Sequence, residues 1–347
     1  MSCPRLPQEI YDYIVAVLRD EPKTLKNCGL VCKLWVPSVQ KHLFGRVALF
    51  SMSDLRAWKK TFPDAVDSPA LYTRTLYIIG EEVLSAIDNV PVQEFCNVVR
   101  LSVWDAVCPA SHIPKLVCSL PRLEDLDITS QGLDNKDDEK PTSQPSTSPP
   151  LTGALRLSLT RGMKTITHRL LELPNRIRFR ELECRRYIEE DLRCITALVE
   201  ECSDTLERVD IRCEPIDNPR VGSVDLSKAT RLREVVFWLE EAYDVWIAMA
   251  LKTLTYKHSD LQKVTIHFPC NRGPPSNVRQ TIGEEIYHQW MALDRVLVRL
   301  WESNAIPTQV IYNTNRGKEA GHEYVRGLLP EMTKRGIGEV VVGSDWF

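Results

Sequence analysis

Apolar positions along this chain fall into two regimes. Between residues 6 and 44 they recur at helical spacing. Ile10, Ile14, Val17 and Leu18 form one stripe after Leu6 and Pro7, as an amphipathic helix requires. Pro7 stands where a missing N–H does a helix no harm. Thr24 is the expected N-cap of a second helix, in which Leu25, Cys28, Cys32 and Trp35 mark one face and Leu30, Val31 and Leu34 another. Pro37 restarts the chain into a third helix carrying Val39, Leu43 and Phe44. Three helices in roughly 40 residues make a core that is marginal on its own. A second helix apolar on two faces predicts burial on two sides, so the segment needs a partner.

In the second regime a three-position pattern, L-x-x-L-x-L in outline, recurs along most of the remaining sequence. It is seen at Val98/Leu101/Val103, Leu123/Leu126/Ile128, Ala154/Leu157/Leu159, Phe179/Leu182/Cys184, Leu206/Val209/Ile211, Leu232/Val235/Phe237 and Leu261/Val264/Ile266. Successive starts lie 25, 31, 25, 27, 26 and 29 residues apart, a range that brackets the leucine-rich-repeat period. Between these strand-like cores lie segments of helical spacing: Ile113/Leu116/Val117/Leu120, Ile166/Leu170/Leu171, Leu192/Ile195/Leu198/Val199 and Val245/Ile247/Met249/Leu251/Leu254. One short strand and one helix per repeat predict a solenoid whose parallel strands line an inner face. A doubly wound α/β domain is the competing reading. Against it stand the short strands, their alternation of apolar with polar residues, and the lack of a glycine-rich strand-to-helix turn. Beyond residue 270 the pattern weakens: Cys270 to Gln280 reads as a loop, Ile282 to Ser303 as a long helix, Tyr324 to Arg335 as another, and Ile337/Val340/Val342 as a last strand capping the open end.

Three elements of the N-terminal segment resemble the F-box: the opening Leu6-Pro7-x-Glu9-Ile10, the middle Leu30-Val31-Cys32-Lys33-x-Trp35, and the closing His42-Leu43-Phe44. The form is similar to the F-box-like domains abundant in fungi. It departs from the common pattern in the loop Arg19 to Thr24 and in the Val36-Pro37 pair after Trp35, neither of which breaks a helix face. F-box helices dock on the Skp-family adaptor of cullin–RING (SCF) ubiquitin ligases. The resemblance therefore implies a substrate receptor, with Leu6, Pro7, Glu9, Ile10, Ile14, Leu30, Val31 and Trp35 as the adaptor-binding residues and a cullin as an indirect partner. The repeats lack the usual asparagine after the strand and resemble the irregular leucine-rich repeats of F-box proteins. An N-terminal helical cap on a larger domain is the plain alternative for the segment. A scaffold or repeat protein acting outside any ligase is the alternative for the whole.

The expected organisation is an α/β chain: a three-helix F-box over 1–48, a helical linker and first repeat or cap over 49–97, degenerate repeats over 98–270 and a C-terminal repeat or cap region over 271–347. The stretch 134–150 has no apolar residue and is dominated by Pro, Ser, Thr, Asp and Lys, so nothing there offsets the entropy of ordering and a disordered insertion is expected.

Of 347 residues, 43% are apolar and 26% charged, a soluble globular composition. A net charge of -3 gives no long-range attraction to nucleic acid or anionic membrane, so neither is expected as a partner. The N-terminus lacks an apolar run after a basic start and no stretch approaches a membrane span, which places the chain in cytosol or nucleus. Eleven cysteines lack C-x-x-C pairs, and Cys118, Cys184, Cys194 and Cys202 fall inside apolar patterns, the mark of buried reduced thiols. Seven dispersed histidines give neither HExxH nor C2H2 spacing. No P-loop, GxSxG or GxGxxG occurs. The expectation is a non-catalytic binding protein without cofactor or metal.

Strand alternation then selects a binding face, because residues flanking the two inner apolar positions point the other way. Those residues are Arg100, Ser102 and Trp104; Asp125 and Asp127; Arg156 and Ser158; Glu181, Glu183 and Arg185; Arg208, Asp210 and Arg212; Glu234 and Trp238; Lys263 and His267. Trp104 and Trp238 are the expected anchors, since Trp and Arg dominate binding hot spots. The mixed signs favour a protein or peptide partner over a phosphate-rich ligand.

Overall fold

A computed structural model describes residues 7–31, 33–64, 68–80, 82–83, 92–105, 108–109, 112–130, 133–134, 150–159, 162–173, 177–187, 191–213, 223–239, 246–269, 284–304, 306–313, 318–337 and 339–343. Leu6, Cys32, the loop 270–280 and the interior of the expected insertion, 135–149, lie outside the described residues. The chain is α/β and divides into two compact units, Met1–Pro149 and Pro150–Phe347.

The first unit begins with three helices, α1 (Gln8–Val17), α2 (Pro22–Val31) and α3 (Val36–Leu43), with α3 packed on both of the others. Pro7 occupies the N-cap position of α1, and its carbonyl accepts the Ile10 N–H at 3.1 Å. Thr24 does not cap α2. Pro22 already fits the first helical position by its fixed φ, which leaves Thr24 inside the helix, where its hydroxyl donates to Glu21 at 2.8 Å. Among the described residues the bundle core is Val15, Leu25 and Val39, flanked by the half-buried Leu18, Cys28, Trp35 and Leu43.

The bundle ends at Leu43, because Arg46–Leu49 is already a strand, β1. After it come α4 (Met52–Thr61), where Ser51 accepts the Asp54 N–H and Asp54 in turn accepts the Phe50 N–H, and β2 (Thr75–Ile79), β3 (Arg100–Asp105), β4 (Cys108–Pro109), α5 (His112–Ser119), β5 (Asp125–Ser130) and β6 (Leu133–Asp134). Strands β1, β2, β3 and β5 pair parallel in chain order. The short β4 and β6 pair separately, so Asp134, expected to open the insertion, ends a strand instead. Phe44 joins the bundle to this sheet through an aromatic cluster with Trp58, Phe62 and Phe95, whose neighbouring rings lie 5.1–5.9 Å apart.

The second unit holds β7 (Ala154–Leu159), α6 (Met163–Leu171), β8 (Glu181–Tyr187), α7 (Leu192–Glu201), β9 (Arg208–Cys213), β10 (Glu234–Trp238), α8 (Trp246–Lys252), β11 (Lys263–Pro269), α9 (Glu284–Asn304), β12 (Thr308–Asn313), α10 (Lys318–Leu328), α11 (Pro330–Lys334) and β13 (Glu339–Gly343). Its strands β7 to β13 again pair parallel in chain order. The expected helix Tyr324–Arg335 is two helices. Pro330 starts the second, and Leu329 before it takes φ -124°, ψ 62°, since a residue preceding proline is pushed out of the helical region. Asp294 of α9 then accepts the Glu331 and Met332 N–H groups at 2.8 Å each, supplying α11 with the cap its own sequence lacks.

Within each unit the strands never reverse order, so every crossover advances in one direction and right-handed connections put the helices on a single face. Burial agrees: Leu76, Ile78, Leu101, Val103, Leu126 and Ile128 in the first unit, and Leu182, Cys184, Val209, Ile211, Val235, Phe237, Val264 and Ile266 in the second, are 3% exposed or less. One backbone device recurs. The carbonyls of Gly45, Arg74, Val99, Gly153, Arg180, Glu207 and Arg233 each accept two successive N–H groups at the entry to the next strand. The observed register also corrects one alignment. Ala154 faces Glu181 and Leu157 faces Cys184, so the equivalent apolar positions of β7 are Leu155 and Leu157, two residues before those the spacing suggests. A slip of two keeps every side chain on its face, and the face assignment survives it.

Candidate binding surfaces

The three-helix bundle buries little and leaves much open. Val15 carries α1 into the core, and of the expected stripe Ile10/Ile14/Val17/Leu18 Leu18 packs against it. Ile10 and Val17, joined by Tyr13 at 71% exposure, face outward while Ile14 is half-buried. The expected second helix stops at Val31, and Trp35 stands at the N-cap of α3; Leu25, Cys28 and Trp35 turn to the core, while Leu30 is 85% exposed and Val31 67%, with Leu34 beyond them also exposed. Trp35 is thus a packing residue, against Tyr11 at 5.6 Å and the core. Glu9 lies exposed in the first turn of α1, and Pro7 is exposed before it. Ser38 is buried where α1 meets α3 and bonds Asp12 and Gln8. The Ser38 and then the Gln8 hydrogen bond hold the Asp12 carboxyl below its usual range. Tyr13 was legible at i+3 from Ile10 had tyrosine been counted as apolar.

On the first unit's sheet, in-register neighbours form rows across the strands: Arg46, Thr75, Arg100 and Asp125; Ala48, Tyr77, Ser102 and Asp127; Ile79, Trp104 and Thr129. Arg100 pairs with Asp125 at 2.7 Å. Ser102, expected on the open face, is 1% exposed. It sits between the larger Tyr77 and Asp127 and donates to Asp127 at 3.1 Å. Trp104 is 46% exposed, edge-on to Tyr77. Phe50, at the end of β1, is exposed as well. Gly80, at φ +104° with the Phe50 carbonyl 3.3 Å from where a Cβ would stand, donates its N–H to the Trp104 carbonyl. Glycine alone suits that turn.

The second unit's sheet carries three rows. The first runs Glu181, Arg208, Glu234, Lys263; the second Arg156, Glu183, Asp210, Val236, Thr265; the third Ser158, Arg185, Arg212, Trp238, His267. The first two largely neutralise themselves. Arg156 reaches Glu181 at 3.7 Å and Glu183 at 3.3 Å, and Arg208 reaches Asp210 and Glu234 at 3.2 Å each. In the third row, Trp238 lies flat on His267 with ring centroids 3.6 Å apart and planes 5° apart, and the Arg212 guanidinium stands 5.7 Å from its ring centre. The Trp238 indole N–H donates to Asp210 at 2.9 Å. Burial first, and Glu183 second, push the Asp210 carboxyl above its usual range. Burial, with Lys263 after it, holds His267 down to about 4, so at neutral pH the ring is uncharged and can stack. Trp238 is half-buried and fixed by three partners; Trp104 is open. Strand alternation put both tryptophans on this face but gave no sign of the stack, which depends on which strands are neighbours.

Other titratable groups serve packing. His258 is fully buried, accepting the Thr255 N–H at Nδ1 and meeting the Leu226 carbonyl with Nε2 at 3.0 Å. Burial pushes the Cys202 thiol up to about 12 and Cys184 higher still, which keeps both protonated and unreactive. Among the described residues no cluster of three His, Cys, Asp or Glu side chains could hold a metal ion, and no helix is long and apolar enough to cross a membrane.

No protein-family model matches this chain, and no curated protein is detectably similar to it in sequence.

Proposed function

We propose that the chain is the substrate-receptor subunit of an SCF (cullin–RING) ubiquitin ligase, with the three-helix bundle docking on a Skp-family adaptor and the polar sheet face holding a target protein. The observation that carries this reading is the imbalance within the bundle: three core residues against the open Ile10, Tyr13, Val17, Leu30, Val31 and Leu34. Soluble proteins rarely leave such apolar area uncovered unless a partner covers it. The F-box resemblance assigns that partner, and Leu30 and Val31 belong to both the resemblance and the open surface.

In the same reading the strand–helix units are degenerate leucine-rich repeats of a solenoid. Chain-order parallel pairing and register offsets of 25 to 30 residues over most neighbours support it. The receptor does no chemistry of its own; it raises the effective concentration of target at the ligase's catalytic subunits. Co-expression with a Skp-family adaptor and a cullin tests the proposal. A ternary complex that is lost in the Leu6→Ala/Pro7→Ala and Leu30→Asp variants supports it. Adaptor capture without cullin makes the chain an interaction scaffold, and failure to capture the adaptor removes the ligase reading altogether.

A further inference from the structure

The two open faces of the bundle differ in sign. α1, with its exposed Ile10, Tyr13 and Val17, contains Glu9 and Asp12 and no cation. α2 contains Lys23 and Lys26 and no carboxylate. Lys23, Lys26 and Leu30 follow one another at i, i+3 and i+7, which lines them up along one side of the helix, and all three are exposed. Lys33 and Leu34, in the turn just beyond, are exposed as well. Among the described residues no carboxylate pairs with Lys23, Lys26 or Lys33: Asp20 pairs with Arg19, and Glu21 takes the Thr24 hydroxyl. The undescribed positions nearest to them in sequence, 1–6 and Cys32, hold no Asp or Glu. Nor do these lysines serve the helix. Lys23 lies in its first turn, where a cation opposes the helix dipole and where no acidic residue offsets it.

Resting on the reading of the bundle as a docking domain, we infer that the protein surface covering α2 is an apolar groove rimmed by carboxylates, the groove receiving Leu30 and the rim receiving Lys23 and Lys26. Charge complementarity selects the rim. A basic rim would set like charges against the two lysines, and a neutral one would desolvate them without a partner. Both side chains can meet such a rim while their methylene stems lie over the apolar surface beside Leu30, so one contact uses charge and apolar area together. An anionic lipid surface also combines acid with apolar depth. Two lysines on one helix give it little hold, and the chain as a whole carries a net charge of -3, which favours the protein partner.

Two fluorescent helical peptides test this on the full-length protein, sharing one leucine face that is flanked by Glu in the first and by Lys in the second, and read by anisotropy at low salt. The acidic peptide binds more tightly than the basic one, loses affinity as salt rises, and weakens at least tenfold in Lys23→Glu/Lys26→Glu. A carboxylate in the first turn favours the helix dipole, so the thermal midpoint of that variant stays level or rises while binding falls. Lys23→Gln/Lys26→Gln weakens binding in the same direction without adding charge. Equal or tighter binding of the basic peptide, no binding of either, or acidic binding indifferent to both lysine variants overturns the inference. So does lysine-dependent binding to phosphatidylserine vesicles in place of the acidic peptide. Capture of a Skp-family adaptor is measured on the same preparations. Capture retained with the peptide preference absent sinks only this inference, whereas the peptide preference retained with capture absent sinks only the ligase reading.

Discussion

The three-helix bundle and the strand–helix units place their apolar residues in opposite ways. In the units, alternation sends one side of each strand into a continuous buried layer and leaves the other side mostly polar, with Val236 and Thr265 covered there. In the bundle, α1 and α2 put apolar residues on both sides, one set in a three-residue core and the other in solvent. The first arrangement is complete by itself. The second is tied to the rest of its unit through Phe44 and the aromatic cluster around Trp58. A core that closes within the chain specifies a fold; one left half open is what the proposed adaptor docking rests on.

The largest effect expected from a single change lies in the closed core. Phe237 is fully buried and meets Trp246 edge-on at 5.2 Å, so Phe237→Ala removes about 3–5 kcal/mol and lowers the thermal midpoint of the second unit. Leu25→Ala deletes one of three core residues in the bundle, nominally about 2–5 kcal/mol. The loss is capped there by the small free energy that holds the bundle together, so only local order is lost. Hydrogen exchange separates the two: Leu25→Ala should unprotect amides of residues 8–43 and leave those of β8 to β11 slow. Global loss of protection would show that bundle and sheet fold as one.

Next in size is the contrast between the tryptophans. Trp238→Ala strips the half-buried Asp210 of its indole donor and His267 of its stacking surface, a loss of about 1–3 kcal/mol. Trp104→Ala removes an exposed ring in edge contact with Tyr77 and should stay within about 0.5 kcal/mol. Denaturant unfolding of the two variants checks this, and equal losses would mean that Trp104 is core.

His267 makes a smaller contribution that depends on pH. Its folded value, about 4, lies below the ordinary 6.5, so between these limits the unfolded chain binds more protons. Stability from this group is then full above 6.5 and is lost as pH falls toward 4. Asp210, raised in the fold, works with the opposite sign above 3.8. Melting temperatures of the protein and of His267→Gln should converge as the solution is acidified from pH 6.5 to 4.5, and parallel curves would refute the assignment.

Much of this architecture was legible because a strand with one buried face writes its period into the sequence. The last two positions of all seven triplets fall on observed strands, and each of the four helical segments between them overlaps a helix, Val245 lying outside the described residues. The missed strands show where that signal fails. Arg46–Leu49 has four residues, too few for alternation to stand out. Thr75–Ile79 is nearly all apolar and shows no period. Thr308–Asn313 is displaced by the long α9, so that Val264 faces Thr308, 44 positions on. The polar face was legible by the same alternation, but contacts across it were not. Trp238 reaches Asp210 across one strand and His267 across the other, and their numbers differ by 28 and 29. Ser102 lies on the expected face but is buried for the same reason, since its neighbours in register, not its own strand, cover it.

The smallest expected effect on stability is the one that most sharpens the contrast. Leu30 and Val31 lie at the end of α2, 85% and 67% exposed, facing away from Leu25 and Cys28. A carboxylate at either position gains solvation and breaks no contact of the bundle core, so Leu30→Asp and Val31→Asp should change stability by no more than about 0.5 kcal/mol. A new charge near the C-terminal end of a helix opposes its dipole and sets the sign as slightly destabilising. Adaptor capture should fall by two orders of magnitude or more, because binding would bury that charge in an apolar contact. Pull-down and thermal unfolding on the same preparations must therefore disagree. If both fall together, the surface was part of the fold; if neither moves, the proposed docking on this surface is refuted.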